Sequence, residues 1–554
     1  MNRPASLKYG TCVWIVLVLA VSLFFFRLGD RSFRNPDEGR YAGIAREMVE
    51  SHQWVEPRLY GIAYLSKPIL FHWLVALSFV CFGFSEWAAR FVPACFGIAG
   101  IGMAFWFCRK IFDESTAFWA GLLLATNLWY LEVGRYLVID AVFSFFLTAA
   151  FYFFYLGCCR QEEDRRYVYG FYASVALSVL AKGLAGVVIP GFCLFLYLTV
   201  SGQWRKIFGR LRLVEGLLIF SVITVPWFAA ISLREPGFLS SFFLHEHFSR
   251  FVSATYEHQE PWYYYLLILP ALLLPWTIFF RPWKKIILFF KNNSLKSEAL
   301  YLGIVLAGIV VFYSLSRSKL LTYMLPVIPF FAILLAKAWR EWEAEEITQP
   351  CSKFSLILFA TFILIAGSAL GFPGMWQQAF KKLTPDLMIY FRGAAVCLLL
   401  MSAVSLFFLI KRRVVPLFYS LIAVSAVFSM LAACVMESQN FNYTTKPLAQ
   451  ALKSEIKAGD SVFIYDDPGV FYDFKFYLGW PVKLVGLEGE LKKRKGHPDA
   501  LSNTVTREEF FALLHGSGKV YCLIRKSDFQ GMDAEIRDHV KIFKEDKRKV
   551  IFES

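Results

Sequence analysis

Residues 411–435 read KRRVVPLFYSLIAVSAVFSMLAACV: three consecutive cations, then 22 residues without a formal charge. An apolar run of that length spans the hydrocarbon of a bilayer as a helix. The stretch just upstream, 387–410, is apolar over a similar length. Lys411, Arg412 and Arg413 therefore read as a tight loop between two crossings, and loops of this kind face the cytosol.

The same reading extends along the 554 residues, of which 57% are hydrophobic and 18% charged, with a mean hydropathy of +0.49. Such a chain is too apolar for water to be its main solvent. About thirteen spans are expected, near 11–27, 88–108, 115–133, 138–157, 168–181, 183–200, 213–232, 263–280, 298–315, 320–336, 355–371, 387–410 and 414–435. With the N-terminus cytoplasmic, the expected inner loops hold Arg109 and Lys110, Arg160 to Arg166, Arg205 to Arg212, Arg281 to Lys285, Lys337 and Arg340, and Lys411 to Arg413. This alternation absorbs much of the +15 net charge and argues against nucleic acid as a partner. The run 69–84 would break the register if it crossed; it is short and carries His72, so it reads as an interfacial helix. The first apolar run reads as a retained helix, since no small-residue cleavage site follows it. The cysteines lie mostly in apolar segments, with no disulfide framework or metal spacing.

The expected organisation is a transmembrane domain over 1–435, with a first outer loop at 28–87 carrying interfacial helices and a second at 233–262. A C-terminal domain follows over 436–554, where turn residues alternate with β-rich runs and a helix–glycine–strand pattern. An odd number of spans puts this small α/β domain outside.

Charges that escape the inner loops need another reason to exist beside a membrane. They gather on the outer side: Asp37, Glu38, Arg40 and Tyr41 with Lys67 in the first loop, Asp140 and Lys182 at span ends, His245, Glu246, His247 and Arg250 in the second loop, and Tyr323 opening a later span. Carboxylates together with several cations suit a cleft that handles a phosphorylated substrate. Asp37 and Glu38 equally suit the plain capping of a helix beginning near Gly39. Adjacent His245, Glu246 and His247 lack the i, i+4 spacing of a strong zinc motif.

The blocks NPDEGRYAGIAREM (35–48), YLSKPILFHW (64–73), RYLVIDAVFSFF (135–146), LAKGLAG (180–186), REPGFLSSFFLHEHFSRF (234–251), EPWYYYLLILPALLLPW (260–276) and SKLLTYMLP (318–326) resemble the bacterial 4-amino-4-deoxy-L-arabinose transferases that modify lipid A. These belong to the wider protein O-mannosyltransferase-like class of membrane glycosyltransferases. HPDALSNTVTREEFFALL (497–514) resembles the outer domain of the same family.

The resemblance implies an all-α polytopic fold of GT-C type with a small α/β domain outside. It implies transfer of the amino sugar from undecaprenyl phosphate to a lipid A phosphate, at the periplasmic face of the bacterial inner membrane. It also implies Asp37 and Asp140 as catalytic carboxylates and Lys67, Arg250 and Tyr323 at the lipid phosphate. Glu38, Arg40, Tyr41, Lys182, Glu246 and His247 are further substrate-binding positions. Ser66 stands where the family usually has glutamate, which leaves a divalent metal, and any cofactor, undetermined. Two other activities fit the composition: a same-fold enzyme moving a hexose to a protein or glycan, and a lipid-linked-sugar flippase. The flippase would want polar residues at mid-membrane depth on repeated, broken helices.

Overall fold

The computed structural model describes residues 9–161, 163–240, 242, 259–279, 298–344, 361, 365, 368, 385–411, 413–439, 443–465, 467–516 and 518–554. It forms two compact units, one of residues 1–27 with 93–435 and the other of 28–92 with 436–554.

The first unit is helical. Its helices include Tyr9–Phe25, Ile139–Phe154, Arg165–Lys182, Ala185–Ser201, Leu213–Arg234, Glu298–Leu315, Val327–Ala344 and Pro385–Ile410. Helices Glu86–Ile111 and Val414–Gln439 run across the division between the units. Among the described residues, five helices are long and apolar enough to cross a membrane: Glu86–Ile111, Ile139–Cys159, Leu213–Arg234, Glu298–Leu315 and Val415–Cys434. On Leu213–Arg234, Leu217, Leu218, Val222 and Val225 are all more than half exposed, a face that only lipid covers well. Elsewhere the unit packs tightly. The ring of Phe24 fills space where a Cβ on Gly97 or Gly134 would come within 2.2 or 2.4 Å of it, the small-residue contact typical of helices in lipid. Phe418 gathers Trp339, Trp119 and Trp276, with ring centroids 4.4, 4.7 and 4.8 Å away.

Two expected spans are broken. In place of 115–133 stand helices Glu114–Ala125 and Leu128–Gly134. Asn127 at the break caps the second, its side-chain oxygen accepting from the Tyr130 N–H at 2.8 Å while its amide donates to the carbonyl of Leu272 at 3.1 Å. In place of 263–280, helix Tyr264–Leu272 is followed by a 3-10 turn at Trp276–Phe279. Most of the expected span 355–371 lies outside the described residues.

The second unit holds helices Asp37–Ser51 and Leu70–Phe82, a short hairpin of β1 (Arg58–Leu59) and β2 (Ile62–Ala63), and a six-stranded sheet. The sheet's strands are β3 (Ser461–Tyr465), β4 (Lys483–Val485), β5 (Thr504–Val505), β6 (Val520–Arg525), β7 (Lys541–Glu545) and β8 (Lys549–Glu553), in the order β5-β4-β3-β6-β8-β7. The first four are parallel, and β8 and β7 add antiparallel. Alternation sorts the strand residues. Val462, Ile464, Tyr521, Leu523 and Ile551 pack on one side, with Ile44, Leu59, Tyr60, Ile62 and Tyr64 over them. Phe463, Cys522, Val550 and Phe552 pack on the other side, beneath Phe510. The 28–92 segment thus supplies part of the cover of the sheet. The expected fold class, a polytopic helical protein with a small C-terminal α/β region, is borne out.

Candidate functional site

In the first unit, Asp140 lies in the first turn of Ile139–Phe154, and Lys182 is the last residue of Arg165–Lys182. A short connection, with Asp164 capping the second helix through the Arg166 N–H, makes the two helices antiparallel neighbours. The start of one and the end of the other therefore share one end of the pair. There Lys182 Nζ meets Asp140 Oδ1 at 2.5 Å, both side chains about nine-tenths buried. The ammonium also stands 4.3 Å from the Tyr323 ring centroid and 5.1 Å from that of Phe143. Tyr323 stacks on Tyr313 at 4.8 Å. Gly183, at φ +81°, turns the chain out of the helix directly after the lysine. Three predicted residues, Asp140, Lys182 and Tyr323, thus form one cluster.

In the second unit, Asp37 opens helix Asp37–Ser51. Arg40, one turn on and buried, places one guanidinium nitrogen 2.5 Å from Asp37 and another 2.7 Å from Glu490. Tyr64 donates to the same Glu490 carboxylate at 2.9 Å. Burial alone would depress Arg40, but Tyr64, Glu490, Tyr41 and Asp37 outweigh it and hold the guanidinium well above its ordinary range. Asp37 and Glu490 keep 43% and 37% of their side chains exposed.

Glu38 is placed differently. It is fully buried, its two oxygens taken by Arg90 at 2.7 and 2.8 Å, while Arg90 also holds the carbonyls of Leu28 and Ser32. The pair ties the 28–38 loop to the helix beginning at Glu86. Tyr41 is buried against the Phe71 and His72 rings, and Lys67 is half-buried in the turn before Leu70–Phe82. Arg250, Glu246 and His247, with His245, lie outside the described residues. Among the described residues no three His, Cys, Asp or Glu side chains converge as a metal set.

The loop before Asp37 is held by a buried carboxylate that the sequence reading passed over. Asp473 is fully buried and accepts from the Asn35 side chain, from Thr444 Oγ1 at 2.8 Å, and from the Thr445 N–H and Oγ1 at 2.8 and 2.9 Å. Its own N–H donates to Asn35 Oδ1 at 3.1 Å. Burial raises its pKa, opposed by the donors from Asn35, Thr445 and Thr444 and by Lys549. Asp473 stands within an aromatic run, FYDFKFY, where Lys475 is the one other charge, and a carboxylate in such aromatic company was the one available signal. Glu490, in a polar stretch, offered none.

His72 is fully buried, with neither ring nitrogen hydrogen-bonded. Burial, and then the charge of Arg40, lower its pKa to about 3. Below pH 6.5 the unfolded chain takes up a proton here that the folded unit refuses. Stability should therefore fall as pH drops from 6.5 towards 3. His72→Phe should flatten that part of a thermal-unfolding profile measured between pH 7 and 4.

The family described as dolichyl-phosphate-mannose-protein mannosyltransferase matches residues 66–229. An undecaprenyl phosphate-alpha-4-amino-4-deoxy-L-arabinose arabinosyl transferase of Enterobacter sp. (strain 638) is 31% identical over 58% of this chain and 58% of its own length. The match thus spans little more than half of that relative. The protein of the same name from Shewanella sediminis is 29% identical over 88% of each chain. The crystal structure of ArnT from Cupriavidus metallidurans bound to undecaprenyl phosphate superposes with a TM-score of 0.83 at 25% identity, covering 99% of this chain and 98% of that one. As its motifs implied, the chain is similar to the undecaprenyl phosphate aminoarabinose arabinosyl transferases and shares the ArnT fold.

Proposed function

We propose that the protein is a pentosyltransferase that moves 4-amino-4-deoxy-L-arabinose, or a related amino sugar, from undecaprenyl phosphate to a phosphate of lipid A. The reaction is assigned to the periplasmic face of the inner membrane, with the N-terminus cytoplasmic and the C-terminal domain periplasmic. The observation that carries this reading is the accessible Asp37 carboxylate, 43% exposed and fixed at the start of its helix by the buried Arg40. An amino sugar brings an ammonium group that such a carboxylate can receive, and a neutral hexose does not.

Breaking the bond between sugar and polyprenyl phosphate puts negative charge on the departing phosphate and positive charge on the ring. Lys67 and Arg250 are assigned to the phosphate, Arg by its two-pronged donor and Lys as a point charge. Tyr323 is assigned there too, as a hydrogen-bond donor. Lys182 is already neutralised by Asp140, so that pair orients rather than supplies charge. A phosphate acceptor is largely ionised near neutral pH, its second pKa being about 6, and needs little help from a base. Asp37 is therefore assigned to hold the sugar and stabilise the ring's positive charge. Any metal is left outside this scheme, and Glu246 and His247 with it.

The test is incubation of the purified protein with aminoarabinosyl undecaprenyl phosphate and lipid A, followed by mass analysis of the lipid. Asp37→Asn should lower turnover about 100- to 1000-fold, the usual cost of one preorganised electrostatic group. Absence of an aminoarabinose adduct with the unaltered protein would refute the assignment, and thiol labelling of Asp37→Cys from the cytosolic side would refute the orientation.

A further inference from the structure

Residues 492–495 read Lys-Lys-Arg-Lys, and the site described above uses none of them. They form the end of the 3-10 helix Gly489–Arg494 and the residue after it. This short helix is fixed at both ends. Near its start, Glu490 engages Arg40 and Tyr64, and Leu491 is buried. At its end Arg494 pairs with Asp499 at 2.9 Å, both side chains about nine-tenths buried, and Asp499 accepts the Ala63 N–H at 2.8 Å. With Leu491 and Arg494 turned inward, Lys492, Lys493 and Lys495 are left exposed. Lys492 shares Glu488 at 3.0 Å yet remains 63% exposed, an exposed pair that holds it only weakly. Three exposed ammonium groups, with Lys492 and Lys493 also making contacts of their own, thus stand at a fixed place beside Glu490, which shares Arg40 with Asp37.

The rule that explains the other basic runs fails here. Positive excess belongs to cytoplasmic loops, whereas this tract lies in the same compact unit as Asp37, the unit assigned above to the opposite face. Solubility alone does not call for three lysines within four positions on a segment anchored at both ends. We propose that Lys492, Lys493 and Lys495 are the docking surface for the phosphorylated headgroup of the glycolipid acceptor, gripping the phosphate that does not react. The inference rests on the function proposed above and adds where the acceptor is read. Lysine suits the task, being a compact charge on a flexible stem that can follow a phosphate held at variable depth in a membrane. Exposed contacts of this kind are screened by salt beyond about 8 Å at physiological ionic strength. They should govern capture of the acceptor and leave bond breaking untouched.

The experiment compares the full-length protein with K492Q/K493Q/K495Q, using lipid A bearing two phosphates, lipid A bearing one, and aminoarabinosyl undecaprenyl phosphate as donor. In the variant, KM for the bisphosphorylated acceptor should rise about tenfold, the sum expected of three exposed ionic contacts. The salt dependence of kcat/KM should flatten, while kcat and the donor KM stay unchanged. With the monophosphorylated acceptor the two proteins should differ little. A variant whose acceptor KM and salt slope match the unaltered protein overturns the docking surface. A rise in the donor KM instead overturns it in favour of a donor-phosphate site. Failure of the unaltered protein to transfer sugar to either lipid A overturns the proposed function and this inference with it.

Discussion

Lys182→Met is expected to destabilise the helical unit by about 3–5 kcal/mol, because it leaves the Asp140 carboxylate without its cation in a site where only 12% of the side chain meets solvent. Adding Asp140→Asn should recover most of that loss, since two neutral side chains then face each other where one bare charge stood. Activity should not return with stability. The pair sits against the Tyr323 ring, and without it turnover should stay about 100-fold down, the cost of a misplaced group. Thermal unfolding and single-turnover transfer, measured on the two single variants and the double, separate the effects as a coupling cycle. A double variant that regains both stability and rate would reduce the pair to a packing device.

Asp473→Ala should be the most damaging substitution in the other unit. It strips one acceptor from Asn35, Thr444 and Thr445 together, and takes away a nearby negative charge from the buried Lys549, which keeps Asp546. The Thr444 and Thr445 donors left without this acceptor in a buried site cost about 1–3 kcal/mol each. The carboxylate's raised pKa gives the sign of its pH dependence. The folded unit binds this proton more readily than the unfolded chain, so Asp473 itself favours folding more as the pH falls. Because Asn35 lies two residues before Asp37, the fraction that still folds should also turn over more slowly. Limited proteolysis and transfer rate per folded molecule would show both.

The helical part of the fold was legible because lipid imposes a simple demand: long runs without charge, with cations on alternate loops. That logic located Asp140 and Lys182 individually, as charges out of place, and antiparallel packing of consecutive helices explains why they meet. It could not foresee the break at Asn127, where a polar side chain does the work of a cap inside an apolar stretch. Nor could it separate Glu38 from Asp37. The two are adjacent in sequence, yet helical geometry turns one inward to Arg90 and leaves the other at the surface. Glu490 and Asp473 were hidden for a different reason. Each acts through a partner more than 400 residues away, and spacing along a chain carries no trace of such a pairing.

The shared sheet cover has a consequence for biogenesis. Residues 28–92 leave the ribosome early, but the strands that Ile44, Tyr60 and Ile62 pack against are not made until residues 93–435 have followed. At about 5–20 residues per second the segment waits on the order of tens of seconds, its apolar side chains without their final neighbours. A chain stalled before the last strands would carry the segment bearing Asp37 unfinished, so translation itself would act as a timer that withholds competence until synthesis is nearly done.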